Sequence, residues 1–347
     1  MRSRGDPGGR GAAVDNRPMS AAPRPAASPG TAERARELDH EHRKRLRPAL
    51  PLTLSMRYLV TALERLRQGT ERVEASPVPR PPAGTVSVTF VGHATIMITT
   101  PTTRVLVDPM LENSLYGVRR AKAAGIAPGD LADVDLVLVT HAHRDHLSRK
   151  SLARVRGTAP VIVPPQCGRL VRRTGLPEVV ELFPGKSHTR GDVEVIAVPV
   201  RHSGARGLGD YVRRGACGYV LRTPDACLYV AGDTGYFSGF AEIGRRFHPD
   251  VALLPIAGYE PAGFREEHLS PLDAMYAFED LGARVLIPTS YGSFPLSYEP
   301  LDAPLAWLRE LAGERGLALR GPSTGGRDAR WLAILGHGET VHFRKHP

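Results

Sequence analysis

From Thr85 onward the apolar residues follow two rhythms, and both predict strands. Val86, Val88 and Phe90 alternate with polar positions, Gly92-His93-Ala94 reads as a turn, and Thr95 to Thr99 returns as a second strand. Thr103 to Asp108 gives a third. Short, nearly unbroken apolar runs follow at Val134–Thr140, Pro160–Val163, Val179–Leu182, Val193–Val198, Val251–Ile256 and Val285–Pro288, the pattern of strands buried on both faces. Gly218–Arg222 and Ala226–Val230 form a hairpin around Pro224-Asp225. Helical spacing separates these runs at 148–155, 166–174 and 300–312. A further helix is capped by Ser270, with Pro271 at its first position and Asp273 in its first turn, and it stops at Leu281-Gly282. Apolar segments near 317 and at 331–335 close the sheet. Strands alternating with helices make this a layered α/β chain.

The first 82 residues are of another kind. Residues 1–46 are rich in Gly, Pro, Ala and Arg without a hydrophobic period, so they bury too little apolar surface to offset their ordering entropy, and they read as a disordered basic tail. Residues 47–82 read as a helical arm and a Pro-rich linker. Leu54, Tyr58, Leu59, Leu63 and Leu66 recur at helical steps, and Ser76 to Pro82 forms a stiff extended spacer. The favoured reading of the arm is a helix docked through its apolar stripe; the alternative is an amphipathic surface for peripheral membrane contact through 43–67. Residues 83–347 form the folded domain.

Charge follows the same division. The net charge is +10, but residues 1–80 hold 16 Lys and Arg against 9 Asp and Glu, leaving 30 against 27 for the rest. A basic tail on a nearly neutral domain argues against a nucleic-acid partner, which needs a basic face on the domain. Three cysteines, none in a Cys-x-x-Cys pair, do not make a disulfide framework. With no secretory h-region and no apolar run of membrane-spanning length, the expectation is a cytoplasmic protein, membrane-peripheral at most.

The chemistry concentrates in Thr140-His141-Ala142-His143-Arg144-Asp145-His146, four ligand-type side chains within six residues of a chain with only 13 histidines. His141 and His143 alternate along an extended segment, while Asp145 and His146 follow as the chain turns into a helix. Three imidazoles and a carboxylate crowded together form an uncompensated polar cluster that a bound cation relieves, and this donor set suits Zn²⁺.

This His-x-His-x-Asp-His run resembles the signature of the metallo-β-lactamase superfamily. Gly-His-Ala-Thr at 92–95, Asp108-Pro109, His202-Ser-Gly-Ala-Arg, Gly232-Asp-Thr-Gly-Tyr and Tyr259-Glu-Pro are similar to the branch containing N-acyl-phosphatidylethanolamine-hydrolysing phospholipase D and lactonase-like enzymes. The resemblance spans about 85–312. It implies an αββα sandwich, two mixed β-sheets flanked by helices, with one or two Zn²⁺ at one edge. It implies that His141, His143 and His202 hold one metal, that Asp145 and His146 hold the other, and that Asp233 bridges. Asp145, Asp233 and His268 are the expected catalytic residues, with Tyr236, Tyr259 and Phe294 as pocket walls. Two roles are open to His93: approaching the centre from a strand end, or a structural hydrogen bond in its turn. In that branch the loop at 109–130, here with Tyr116, Arg119, Arg120 and Lys122, borders the pocket; two readings are open to it, a cationic edge suited to a phosphate ester or an ordinary solvated loop. Ser290 departs from the pattern, standing where the family has its last histidine.

The expected function is therefore a zinc-dependent hydrolase that cleaves a phosphodiester, as phospholipase D-like enzymes do, or a lactone or other ester, using water activated at the metals. The substrate would be a small or lipid-like ester. The alternative is a degenerate metal-binding member with weak or no hydrolysis because of Ser290. A superfamily nuclease is disfavoured, since only 57 residues separate Asp233 from Ser290 and leave no room for a large inserted domain.

Overall fold

The computed structural model describes residues 54–75, 77–206, 214–319 and 330–344. The chain begins with α1 (Leu54–Gln68), then β1 (Val86–Gly92), β2 (Thr95–Thr99), β3 (Arg104–Val107) and a small hairpin, β4 (Ser114–Leu115) and β5 (Val118–Arg119). Next come β6 (Leu136–Leu138), α2 (Arg149–Leu152), β7 (Val161–Val163), α3 (Gly168–Val171), β8 (Val179–Glu181), β9 (Ser187–Arg190) and β10 (Val193–Val198). The second half contributes β11 (Gly218–Arg222), β12 (Cys227–Val230), α4 (Gly239–Phe247), β13 (Val251–Pro255), α5 (Pro271–Leu281) and β14 (Val285–Thr289). It closes with α6 (Ala303–Glu314), β15 (Ala318–Leu319), β16 (Trp331–Leu332) and β17 (Glu339–Phe343).

Two sheets result. One runs β17-β1-β2-β3-β6-β7-β8 and the other β15-β16-β14-β13-β12-β11-β10-β9. Both are mixed: β3, β6, β7 and β8 are parallel, as are β12, β13 and β14, while β1–β2–β3 and β9–β10–β11–β12 are antiparallel. Strand period two decides the layers. Ile96 and Ile98, Val105 and Val107, and Leu136 and Leu138 enter the core shared with the second sheet. Their neighbours Met97, Leu106 and Val137 face the opposite side, packing with Leu147, Leu152, Cys167 and Val171 around α2 and α3. Helices α4, α5 and α6 cover the outside of the second sheet through Phe240, Phe278, Trp307 and Leu308. This is the expected αββα sandwich.

The start of α5 matches its sequence signal. Ser270 and Asp273 form a reciprocal capping box, with Pro271 in the first turn and Gly282 left-handed at the end. Other boundaries are shorter than expected: the helices expected at 148–155 and 166–174 are single turns. The strand β17 carries no clean alternation in its sequence, yet it completes the first sheet by pairing Val86 with Phe343 through Phe90 with Glu339.

Three expectations about the entry to the domain are corrected. Helix α1 does not dock through its apolar stripe: Leu59, Leu63 and Leu66 are 61%, 51% and 52% exposed. Its C-terminal end is what is held, where Arg65 donates to the Gly69 carbonyl at 2.7 Å and to the Arg120 carbonyl at 3.4 Å. The Pro-rich segment is not a free spacer, because Val78 is buried and its N–H donates to the Asp130 carboxylate, while Arg104 donates to the Val78 carbonyl at 2.7 Å. Nor is the loop at 109–130 a cationic rim. Arg120 is fully buried, donates to the Met110 carbonyl at 2.6 Å and the Gly92 carbonyl at 3.1 Å, and lies over the Phe294 ring; burial lowers its pKa to about 10. Lys122 is paired with Glu71 at 3.3 Å. The tail at 1–46 lies outside the described residues.

Candidate metal centre

The ligand-type side chains come from loops that leave the ends of β1, β3, β6, β10, β12 and β14, so both sheets deliver residues to one edge. Asp108, just after β3, is the keystone. Its carboxylate accepts the Thr140 N–H at 2.7 Å and the Thr140 hydroxyl at 2.7 Å, and it contacts His146 Nδ1 at 2.7 Å. Those bonds fix the backbone just where β6 gives way to the histidine run. Gly232 is required beside them: at φ +63 its missing Cβ would stand 2.6 Å from the Thr140 side chain.

Proton bookkeeping shows that the first three histidines fit a cation. The one hydroxyl proton of Thr140 goes to Asp108, so Thr140 Oγ1 accepts from His141 Nδ1 at 3.0 Å, and His141 Nε2 is left as a lone pair. His202 Nδ1 donates to the Glu267 carbonyl at 2.9 Å, which likewise leaves its Nε2 bare. Both bare nitrogens face His143 Nδ1, at 2.9 and 3.2 Å. At most one proton can lie among three converging nitrogens, so two lone pairs compete for it. A cation satisfies all three, and the orienting bonds on the far nitrogens are those of a metal site.

The second group is richer in carboxylate. Asp108 takes the His146 Nδ1 proton, and Nε2 points to Asp233 at 3.1 Å and Asp145 at 3.5 Å. His93 Nε2 contacts Asp145 at 3.1 Å, and His93, Asp145 and His146 can converge on one ion. His93 thus reaches this group from the end of β1, through its bond to Asp145. His268 Nδ1 lies 3.8 Å from Asp233, which stands between the two groups. Ser290 offers only a hydroxyl, donated to Asp233 at 3.4 Å; its N–H is tied to the His93 carbonyl at 2.9 Å.

The charges oppose one another across this line. Burial, and then the neighbouring histidines, hold His141 well below the ordinary imidazole range; burial also lowers His143, against the pull of Asp145 and Asp233, and takes His202 to about 3. Burial would also lower His146, but Asp233, Asp108 and Asp145 outweigh it and raise its pKa well above 6.5. In turn, burial would raise Asp145 and Asp233, yet His146 draws both below the usual carboxylate range. One imidazolium thus balances three carboxylates, a place that a divalent cation fills on releasing the proton.

A cavity of about 150 Å³ opens over this group, with Asp145, Asp233, His268, Ser290, Phe264 and Phe294 among its lining residues. Phe294 is one of these lining residues and lies edge-on to His93. Tyr236 and Tyr259 are corrected. The Tyr236 hydroxyl turns away to Asp280 and its ring packs on Phe240, while Tyr259 is 1% exposed against Trp307. The sequence reasoning missed Phe264, the Asp108–Thr140 brace and Arg206, whose guanidinium donates to the carbonyls of Ala142 and Leu147, each at 2.9 Å, clasping the histidine loop at both ends. An Asp closing an apolar strand just before Pro was the signal available for Asp108, and Arg206 closes the His202-Ser-Gly-Ala-Arg motif; no local pattern marks Phe264.

Residues 103–291 match the family described as the Beta-lactamase superfamily domain. A metal-dependent hydrolase of Caldivirga maquilingensis is 32% identical over 208 residues, covering 59% of this chain and 82% of that protein. An uncharacterised protein of Mycobacterium tuberculosis is 30% identical over 273 residues, 73% of each chain. In fold, the structure of an isothiocyanate hydrolase from Delia radicum gut bacteria matches with a TM-score of 0.60 at 21% identity, covering 75% of this chain and all of that one. With its paired sheets, its ligand-bearing edge and a family match over more than half its length, this chain belongs to the metallo-β-lactamase superfamily, among relatives named as metal-dependent hydrolases.

Proposed function

We propose that the protein is a zinc-dependent hydrolase acting on a phosphodiester or on a lactone or other ester. The observation that carries this reading is the shortage of protons: His141 Nε2, His202 Nε2 and His143 Nδ1 converge with at most one hydrogen among them, beside two ionised carboxylates. His141, His143 and His202 would hold one ion; Asp145, His146 and His93 a second; and Asp233 would bridge. Nitrogen and oxygen donors of this kind favour zinc among common ions. When bound, such ions act as Lewis acids and lower the pKa of water.

The chain's own groups do the rest. Asp145 and Asp233 face the cavity and are poised to orient an attacking water and take up its proton. His268, on the cavity wall, is placed to hand a proton to the leaving oxygen. Phe264 and Phe294 limit the water around them and favour a substrate with an apolar body. The exposed stripe of α1 supports peripheral membrane contact and hence a lipid-like ester. A second reading, a one-metal protein with little turnover, is favoured by Ser290 alone. Metal analysis of the purified protein, with hydrolysis of generic phosphodiesters and lactones, tests the proposal. The expected result is two zinc ions and turnover that a chelator removes; a metal-free protein, or a loaded one inert on both classes, would overturn it.

A further inference from the structure

Next to the metal centre lies a second depression, of about 650 Å³, and its wall is cationic. Arg144, Arg149, Lys150, Arg173 and Arg206 face it with one carboxylate, Glu112. That carboxylate is already engaged, by the Ser148 hydroxyl and by Lys150 at 3.7 Å. Among the described residues, none of the four arginines pairs with a carboxylate. Soluble surfaces normally intersperse charges of both signs, and a concave run of one sign focuses its field.

Two observations separate this depression from an ordinary solvated surface. Arg206 is half-buried and already committed to Ala142 and Leu147, so it cannot swing away from its neighbours. Burial lowers its pKa, and the charges of Arg144 and Arg149 lower it further against an opposing pull from Tyr116, so the cluster gathers like charges that an anion would offset. The second observation is continuity with the reacting centre. Arg144 immediately precedes Asp145, and the Tyr116 oxygen faces the Arg144 backbone N–H within range of the Asp145 charge. Leu115, which lines the depression, packs in one cluster with Phe294, which lines the cavity over the metals.

We propose that this depression seats a phosphate group of the substrate, one that stays intact while the bond to be cleaved lies over Asp145 and Asp233. Guanidinium forks match phosphate oxygens two at a time, and the volume leaves room for the body that carries the group. The assignment to substrate rests on the hydrolase reading above; phosphate binding itself does not.

The test is calorimetric titration of the full-length protein with inorganic phosphate at low ionic strength, the unaltered protein carrying its metal. Two variants accompany it: Arg149→Glu with Arg173→Glu, both exposed and outside the ligand loop, and His141→Ala with His143→Ala. The expected result is a loss of about tenfold or more in phosphate affinity in the first and a change of no more than about twofold in the second, since charge-assisted contacts dominate. The reverse pattern, which would put phosphate on the metals, overturns the proposal, as does no binding by the unaltered protein. Sedimentation with phosphatidylglycerol vesicles and titration with glycerol phosphate distinguish the two sources: vesicle binding lost in the Arg variant identifies a lipid headgroup, and glycerol phosphate binding without sedimentation identifies a soluble ester. Phosphate binding with no turnover on any ester would defeat the hydrolase reading and leave this pocket standing.

Discussion

The two halves of the metal centre are built on different principles. In the first, His141 and His202 each spend the far N–H on a fixed oxygen acceptor, and burial disfavours the charged form of all three imidazoles. In the second, His146 takes up a proton to balance Asp108, Asp145 and Asp233, and Ser290 supplies no imidazole at all. The first half is complete without help. The second, on the proposed reading, would depend on His93 reaching in from another strand end and on exchanging a proton for a metal ion.

The largest effect should come from breaking the complete half. His141→Ala with His143→Ala removes two of three converging donors, and bound metal, measured by elemental analysis, should fall to background there, with any hydrolysis lost. Retained metal would show that the triad is not the primary site. Next is the brace common to both halves: Asp108→Asn should weaken metal affinity by about 10–100-fold in competition with a chelator, because Asp108 orients both Thr140 and His146.

His93→Ala and Ser290→His sharpen the contrast. The first should lower occupancy of the weaker ion, by about tenfold in affinity as for other orienting or ligating losses. The second should raise it and rescue the first in the double variant. If His93→Ala changes nothing while His268→Ala empties the site, the imidazole comes from His268 instead.

The halves should also differ in pH response. His146, raised above 6.5, should release about one proton when the second ion binds at pH 7, whereas His202, at about 3, has none to release. Calorimetry in buffers of different ionisation enthalpy measures the count. For the metal-free protein, His202 binds a proton near 6.5 when unfolded but only near 3 when folded, so its contribution favours folding above about 6.5 and is lost as pH falls from there toward 3. Thermal unfolding against pH in the presence of chelator should show that loss. The smallest effect belongs to Ser290→Ala, which removes one long hydrogen bond and should shift metal affinity no more than about twofold.

What the sequence determined by itself was whatever depends on near neighbours. Period-two runs named the strands, Ser270 with Asp273 named a helix start, and six residues of one loop offered four donors, because side chains that close along the chain must meet whatever the fold. The layered sandwich and the distant candidate ligands His202 and Asp233 were legible through motif resemblance, which carries order along the chain rather than distance. Tertiary structure alone decided the rest. It sent Tyr236 and Tyr259 into packing, because an aromatic next to a motif has no local reason to face one side or the other. It buried Arg120 as a brace and freed the stripe of α1. It also brought His93 to Asp145 across 52 residues, and Arg206 to both ends of the histidine loop, by register between strands. Hydrogen-bond direction, burial and the convergence of strand ends are properties of a packed edge, and no stretch of sequence holds them alone.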